Sequence, residues 1–329
     1  MPHRVFYMAR TPPDHRAVTL SVQPPEFADS WLESDDPAEL RAQLAAADFI
    51  VTGALTAEQI ALAERVRLIQ MPGVGYERID VAAAEARGIP VAITPEGTCA
   101  GVAEHTVMMM LALYKHLTEA HTALKQGEWL HNRLRPICLM LEGKRVGIVG
   151  LGRIGREVAA RLRGWGVELV YCDLRRLPPE QEVALGVRYL PLDELLATAD
   201  IVTLHVFLAE GSRHLIGARE LALMKPSAVL INTARGEVVD EAALYAALAE
   251  RRIQAAGLDV FAVEPVAAGH PLLALDNVLL TPHMATANRD AMIAKARACY
   301  ENFQRVLRGA PPINVVRPYG VVAADAAAG

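Results

Sequence analysis

The sequence predicts an α/β protein of two parallel-sheet domains, one inserted into the other. Three observations carry this. Short apolar runs alternate with helix-period segments through most of the 329 residues, the pattern of sheets covered by helices on both faces. A glycine turn, Gly150-Leu151-Gly152-Arg153-Ile154-Gly155, joins the apolar run 145–149 to a helical one. Proline-containing breaks at Thr94-Pro95-Glu96-Gly97 and Thr281-Pro282-His283 are each followed by a long helical stretch.

In the first block, residues 4–8, 49–53, 68–71 and 91–94 read as strands, and 37–47, 57–66 and 81–86 as helices. Thr56 with Gln59, and Asp80 ahead of an alanine run, are helix starts, because their side-chain oxygens can take the free N–H groups of a first turn. Gly88-Ile89-Pro90 ends a helix and opens a strand. After the first break a single long helix is expected from about 102 to 125. The second block repeats the alternation, with strands at 145–149, 169–173, 201–205, 228–232, 256–260 and 278–280 and helices at 153–165, 192–197, 218–223 and 241–251. Six strands match a full dinucleotide-binding sheet rather than one mononucleotide half. A last helix, 287–307, then returns the chain to the first domain. The expectation is two Rossmann/flavodoxin-like domains: 1–98 with 287–329 as the substrate domain, and 99–286 as the dinucleotide-binding domain inserted into it. The alanine-rich end, 321–329, carries no pattern and is expected to be poorly ordered.

The glycine turn has a chemical reading. Gly150 permits a tight turn, Gly152 lets backbone N–H groups approach a pyrophosphate, and Gly155 lets the helix pack on the strand; the helix N-terminus attracts the anion. Asp173 closes the next apolar run roughly 20 residues on, where a carboxylate meets a ribose diol. That carboxylate would repel a 2′-phosphate, so NAD is expected and NADP is the lesser choice. Arg175 and Arg176 read as solvated loop charge.

Composition narrows the partners. The net charge is −5 and the pI near 6.1, which gives no electrostatic reason to expect nucleic acid or an anionic membrane. No apolar run reaches the length of a membrane span, and the amino-terminal residues lack a signal peptide's apolar segment. The cysteines, Cys99, Cys138, Cys172 and Cys299, are scattered, which fits a reducing compartment and neither a disulfide framework nor a zinc site. A cytoplasmic protein is expected.

Three further motifs end second-block strands: Asn232-Thr233-Ala234-Arg235-Gly236, then Gly257-Leu258-Asp259-Val260-Phe261 leading to Glu264-Pro265, then Leu280-Thr281-Pro282-His283. An arginine, a carboxylate and a histidine thus leave successive strands at the edge where ligands bind in such sheets. With Gly73-Val74-Gly75-Tyr76 and Val102-Ala103-Glu104-His105, this set resembles the D-isomer-specific 2-hydroxyacid dehydrogenase family, with the motifs in family order from about 51 to 315.

The resemblance implies a small 2-oxo acid such as glyoxylate, hydroxypyruvate or pyruvate, reduced by NADH to its D-2-hydroxy acid. His283 would be the acid/base, Glu264 its supporting carboxylate, and Arg235 the partner of the substrate carboxylate. Val74 and Gly75 would offer backbone N–H groups to the same carboxylate. Besides the glycine turn with Arg153 and Ile154, and Asp173, the expected cofactor contacts are His205, Thr233, Ala234, Arg235, Asp259, His283 and Ala285. Asp259 would take the nicotinamide carboxamide; a local turn cap is its other reading. No metal is implied. Phe207 stands where the family usually has proline, and Thr52-Gly53-Ala54-Leu55 carries no arginine for a phosphorylated substrate. A phosphoglycerate dehydrogenase without a regulatory domain, and a non-catalytic NAD(H)-sensing corepressor-like protein, stay open as alternatives. The remaining histidines, His105 among them, read as structural or surface. Apolar residues surround most of the helix at 102–117, more than one buried face requires, so a homodimer is expected.

Overall fold

The computed structural model describes residues 1–318; the segment 321–329 lies outside them. The chain divides into two compact units, Met1–Thr98 with the chain from Asn288 onward, and Cys99–Ala287.

In the first unit, β1 (His3–Tyr7), β2 (Phe27–Trp31), β3 (Phe49–Val51), β4 (Leu68–Met71) and β5 (Val91–Ile93) run parallel in the order β2-β1-β3-β4-β5, with Val315–Val316 added antiparallel beside β5. This is the flavodoxin-like order. The helix starts fall where the side-chain chemistry puts them. Thr56 and Gln59 form a capping box, and Asp80 accepts the Ala83 N–H at 2.9 Å. Helix Arg289–Leu307 returns to this unit, where Phe303 stacks on Phe49 at 4.5 Å. Buried Asn302 ties it down, donating to Gln70 Oε1 (3.0 Å) and exchanging two bonds with Ile313 (3.1 and 2.8 Å).

Two elements here were not expected. Strand β2 has apolar residues only at its ends, with Asp29 and Ser30 between, so it shows no strand pattern. Helix Pro13–Leu20 buries no residue, so it has no apolar stripe to read.

In the second unit, β6 (Arg145–Val149), β7 (Glu168–Cys172), β8 (Val187–Tyr189), β9 (Ile201–Leu204), β10 (Val229–Asn232), β11 (Ala255–Leu258) and β12 (Val278–Leu280) form one parallel sheet, ordered β8-β7-β6-β9-β10-β11-β12. It has seven strands where six were expected, because β8 is short and only Val187 in it is buried. The central strands are buried on both faces, which is why they read as continuous apolar runs. The order reverses between β6 and β9, opening a crevice at their carboxyl ends.

The single helix expected over 102–125 is two, Thr98–Tyr114 and Leu117–Lys125, broken at His116, whose φ is 49°. The backbone explains the break. The Tyr114 carbonyl, which a continuing helix would use, accepts the Leu139 N–H at 2.8 Å instead. The first of these helices packs one side inside its own unit: Ala103, Val107, Met109, Met110 and Tyr114 lie with residues of β6, β7 and β10, while Met108 is exposed.

The glycine turn joins β6 to helix Arg153–Leu162 by direct backbone contact. A Cβ at Gly155 would stand 2.2 Å from the Gly150 carbonyl oxygen, so the helix cannot seat with any side chain there. Gly155→Ala is expected to lower stability by roughly 3 kcal/mol, read as a fall in the urea midpoint. An unchanged midpoint would mean that the turn can open without cost.

Candidate active site

The crevice begins at the end of β6. Gly150 has a φ of 91°, and a Cβ there would meet the His205 carbonyl oxygen at 2.7 Å. Only glycine lets the strand turn this close to the segment after β9. At Gly152, the N-cap of the ten-residue helix Arg153–Leu162, an added Cβ would meet nothing within 4 Å, and glycine has no side chain of its own to cap the first turn. A helix N-terminus with open space at its cap fits a dinucleotide pyrophosphate.

Asp173 faces this turn. Its Oδ2 accepts the Leu151 N–H at 2.7 Å and its Oδ1 the Arg175 N–H at 3.2 Å. Arg176 points elsewhere: it pairs with Glu182 through two bonds of 2.9 and 3.2 Å and lies over the Tyr189 ring. The His205 ring bonds Thr203 Oγ1 at 2.9 Å, and burial pushes its pKa down to about 3, so the imidazole is neutral at physiological pH.

Three turns follow at the ends of β10, β11 and β12. After β10, Asn232 shapes its own turn. Its Oδ1 accepts the Ala234 N–H (3.0 Å), and its Nδ2 donates to the Arg235 carbonyl (2.9 Å). Thr233 is buried, and Arg235 is half-buried, donating to the Ala234 carbonyl at 2.7 Å. The next residue is glycine for a steric reason: a Cβ at Gly236 would lie 1.9 Å from the Phe261 carbonyl carbon. The Arg235 turn therefore lies directly against the turn after β11.

That second turn carries Glu264. Its Oε1 accepts the Phe261 N–H at 2.9 Å, and its Oε2 meets His283 Nδ1 at 2.7 Å. A carboxylate only accepts, so Nδ1 holds the proton and Nε2 is left for other work. His283 is itself in the left-handed region, at φ 49°, at a cost of about 1 kcal/mol for a non-glycine residue.

Asp259 offsets that cost. It is fully buried, and its carboxylate accepts from Thr281 Oγ1 (2.6 Å), Met284 N–H (2.8 Å) and Ala285 N–H (3.0 Å). Its backbone carbonyl accepts the His283 N–H at 2.7 Å. These are the bonds of a turn cap, and they fix the segment that presents His283. They hold Ala285 by its backbone. No local pattern records them, because the partners lie more than twenty residues apart.

Arg235, Glu264 and His283 thus leave three adjacent strands at one edge, with Glu264 and His283 in direct contact. Phe207, after β9, is exposed. Val74 and Gly75 belong to the other unit, in the loop after β4, where the Gly73 carbonyl accepts the Thr94 N–H at 2.7 Å.

Fold and site together define an oxidoreductase with a nicotinamide dinucleotide cofactor. The chain belongs to the D-isomer-specific 2-hydroxyacid dehydrogenases: residues 107–285 match the family model described as D-isomer specific 2-hydroxyacid dehydrogenase, NAD binding domain. A glyoxylate reductase of Korarchaeum cryptofilum is 40% identical over 271 residues, 81% of each chain. A D-3-phosphoglycerate dehydrogenase of Methanocaldococcus jannaschii is 40% identical over 282 residues, 84% of this chain; the chain spans about half of that relative (53%). Among solved structures, an acyclic imino acid reductase in complex with NADPH and D-Arg aligns with a TM-score of 0.81 at 26% identity, covering 95% of this chain and 99% of that one.

The neutral His205 makes a pH signature. Its folded pKa lies below the ordinary value of 6.5, so the unfolded chain takes up a proton before the fold does. The stability it contributes is present above 6.5 and is lost as pH falls toward 3, at about 1.4 kcal/mol per pH unit. His205→Gln, which keeps a partner for Thr203, is expected to remove that slope between pH 6.5 and 5 in urea unfolding. An identical slope in the variant would assign the acid sensitivity elsewhere.

Proposed function

We propose that the protein is an NAD(H)-dependent enzyme interconverting a small, unphosphorylated 2-oxo acid, of the size of glyoxylate, hydroxypyruvate or pyruvate, and its D-2-hydroxy acid. The observation that carries this reading is the 2.7 Å contact between Glu264 and His283, at the edge where the Arg235 turn also ends. When bound, the nicotinamide supplies or accepts hydride at the substrate C2. Glu264 holds the Nδ1 proton of His283; in reduction the ring enters as imidazolium and Nε2 gives its second proton to the carbonyl oxygen, and in oxidation the neutral ring takes the hydroxyl proton at Nε2. Half of the His283 side chain is exposed, which leaves Nε2 open to a substrate. Arg235 supplies a planar pair of donors for the substrate carboxylate.

In this reading the unit Cys99–Ala287 holds the cofactor and the other unit the substrate. The glycine turn with Arg153 and Ile154 takes the pyrophosphate, and Asp173 the ribose. His205, Thr233, Ala234, Asp259 and Ala285 line the remainder. NAD is favoured over NADP because Asp173 presents negative charge there, while Arg176 would have to leave Glu182 to meet a 2′-phosphate. A cytoplasmic homodimer is part of the same proposal. Among the described residues no helix is long and apolar enough to cross a membrane, and Leu117, Leu124, Trp129, Ile137 and Met140 expose apolar surface along one segment, with Trp129 78% exposed.

The test is reduced-cofactor oxidation against a panel of 2-oxo acids, with NADH and NADPH in parallel. Turnover is expected with NADH and glyoxylate or hydroxypyruvate, and His283→Ala is expected to lower kcat by about 100- to 10,000-fold. Undiminished turnover in that variant would remove His283 from the chemistry. Oxidation of 3-phosphoglycerate alone would favour the phosphoglycerate reading, and NADH binding without turnover a sensor. Sedimentation at micromolar concentration is expected to give a dimer; a monomer would refute that part.

A further inference from the structure

Helix Thr98–Tyr114 carries two polar side chains at adjoining positions, and each reaches one of the turns just described. His105 Nε2 lies 2.9 Å from Thr281 Oγ1 and 3.5 Å from Asp259 Oδ1. Thr281 Oγ1 stands 2.6 Å from Asp259 Oδ1. A hydroxyl has one hydrogen, and a carboxylate can only accept it. Thr281 therefore donates to Asp259 and accepts from His105, whose Nε2 must carry a proton. The chain of donors runs His105 Nε2–H to Thr281 Oγ–H to Asp259. Both ends are shielded, with side chains 9% and 1% exposed, where such bonds are strong and a missing one is costly.

Thr106 repeats the arrangement one residue on. It is fully buried and donates to the Val102 carbonyl at 2.8 Å. Its oxygen is 3.0 Å from Thr233 Oγ1, which must then be the donor. Thr233 lies in the turn that ends in Arg235.

We infer that His105 is a positioning residue for the His283 imidazole, acting through Thr281 and Asp259, and that Thr106 positions the Arg235 turn through Thr233. One helix thereby sets two groups that leave different strands. The helix is well placed for this. At Gly257 of β11 an added Cβ would meet Met109 Cβ at 3.5 Å and Leu113 Cδ1 at 3.3 Å, so the absence of a side chain on the strand lets the helix lie close. The catalytic meaning rests on the dehydrogenase reading above; the positioning of the ring does not.

The test uses the full chain labelled with 15N-histidine. Thr281→Val keeps the shape and removes the hydroxyl, and Thr281→Ser restores it. His105→Leu removes the donor, and His105→Gln places an N–H near the Nε2 position. Long-range nitrogen–proton spectra are expected to show His283 in the Nδ1–H tautomer in the wild-type protein. Loss of that tautomer preference is expected in Thr281→Val and His105→Leu, and its return in Thr281→Ser and His105→Gln. With NADH and glyoxylate, kcat is expected to fall about tenfold in the two disrupting variants.

Unchanged His283 signals and kcat in both disrupting variants would overturn the inference and leave the network as a stability element only. If His105→Leu does not fold, His105→Asn, polar but too short to reach Thr281, replaces it with the same expectation. If the wild-type protein turns over no 2-oxo acid, the dehydrogenase reading fails, while the His283 spectra still decide the positioning.

Discussion

Parallel pairing in the second sheet is the constraint on which the site depends. Asn232 lies beside both Leu204 and Leu258, and Leu280 lies beside Leu258. The residues that follow, His205, Thr233, Asp259 and Thr281, therefore leave the sheet side by side, about 4.8 Å apart. The ladder even continues past the strand ends: Asp259 N–H reaches the Asn232 carbonyl, and His283 N–H the Asp259 carbonyl. Groups from distant parts of the sequence become neighbours because the backbone pairs, before any side chain makes a contact. The contact at Gly236 then pulls the first of these turns against the second.

Three carboxylates at this edge divide the work by how their oxygens are used. Asp259 has donors on both oxygens and no exposed surface, and its burial is made tolerable by its hydrogen bonds. Glu264 spends one oxygen on the Phe261 N–H and turns the other to His283. Asp173 holds the glycine turn by the Leu151 N–H while staying partly exposed. In each case a backbone N–H fixes the carboxylate, which is what preorganisation requires of a site. The same logic separates Arg176 from Asp173: two bonds tie the guanidinium to Glu182 instead.

Much of this was legible because it depends on short sequence patterns. The glycine turn, the buried strands and the caps at Thr56 and Asp80 each follow from residues within one or two turns of each other. What was not legible depends on distant partners. Strand β2 has a polar middle, and β8 contributes a single buried residue. The break at His116 depends on Leu139 taking the Tyr114 carbonyl, which no local pattern records. The bonds of Asp259 to Thr281, Met284 and Ala285 likewise come from the chain's return after β12. His105 read as a structural histidine, and only the approach of its helix to β12 brings it to Thr281.

The apolarity of helix Thr98–Tyr114 has a cause inside its own unit as well. The helix is apolar on most sides, which suggested a partner chain. Within its own unit the sheet must be covered on both faces, and this helix is part of the cover: Met109 and Met110 are fully buried. Exposed apolar surface remains on Met108 of this helix and, beyond the break, on Leu117, Leu124, Trp129, Ile137 and Met140. A two-fold pairing places each of these side chains in the interface twice. That doubling is how a patch of a few residues can offset an association cost of roughly 4–15 kcal/mol. The proposed dimer can draw on exposed apolar side chains on both sides of His116, Met108 before it and Leu117, Leu124, Trp129, Ile137 and Met140 after it.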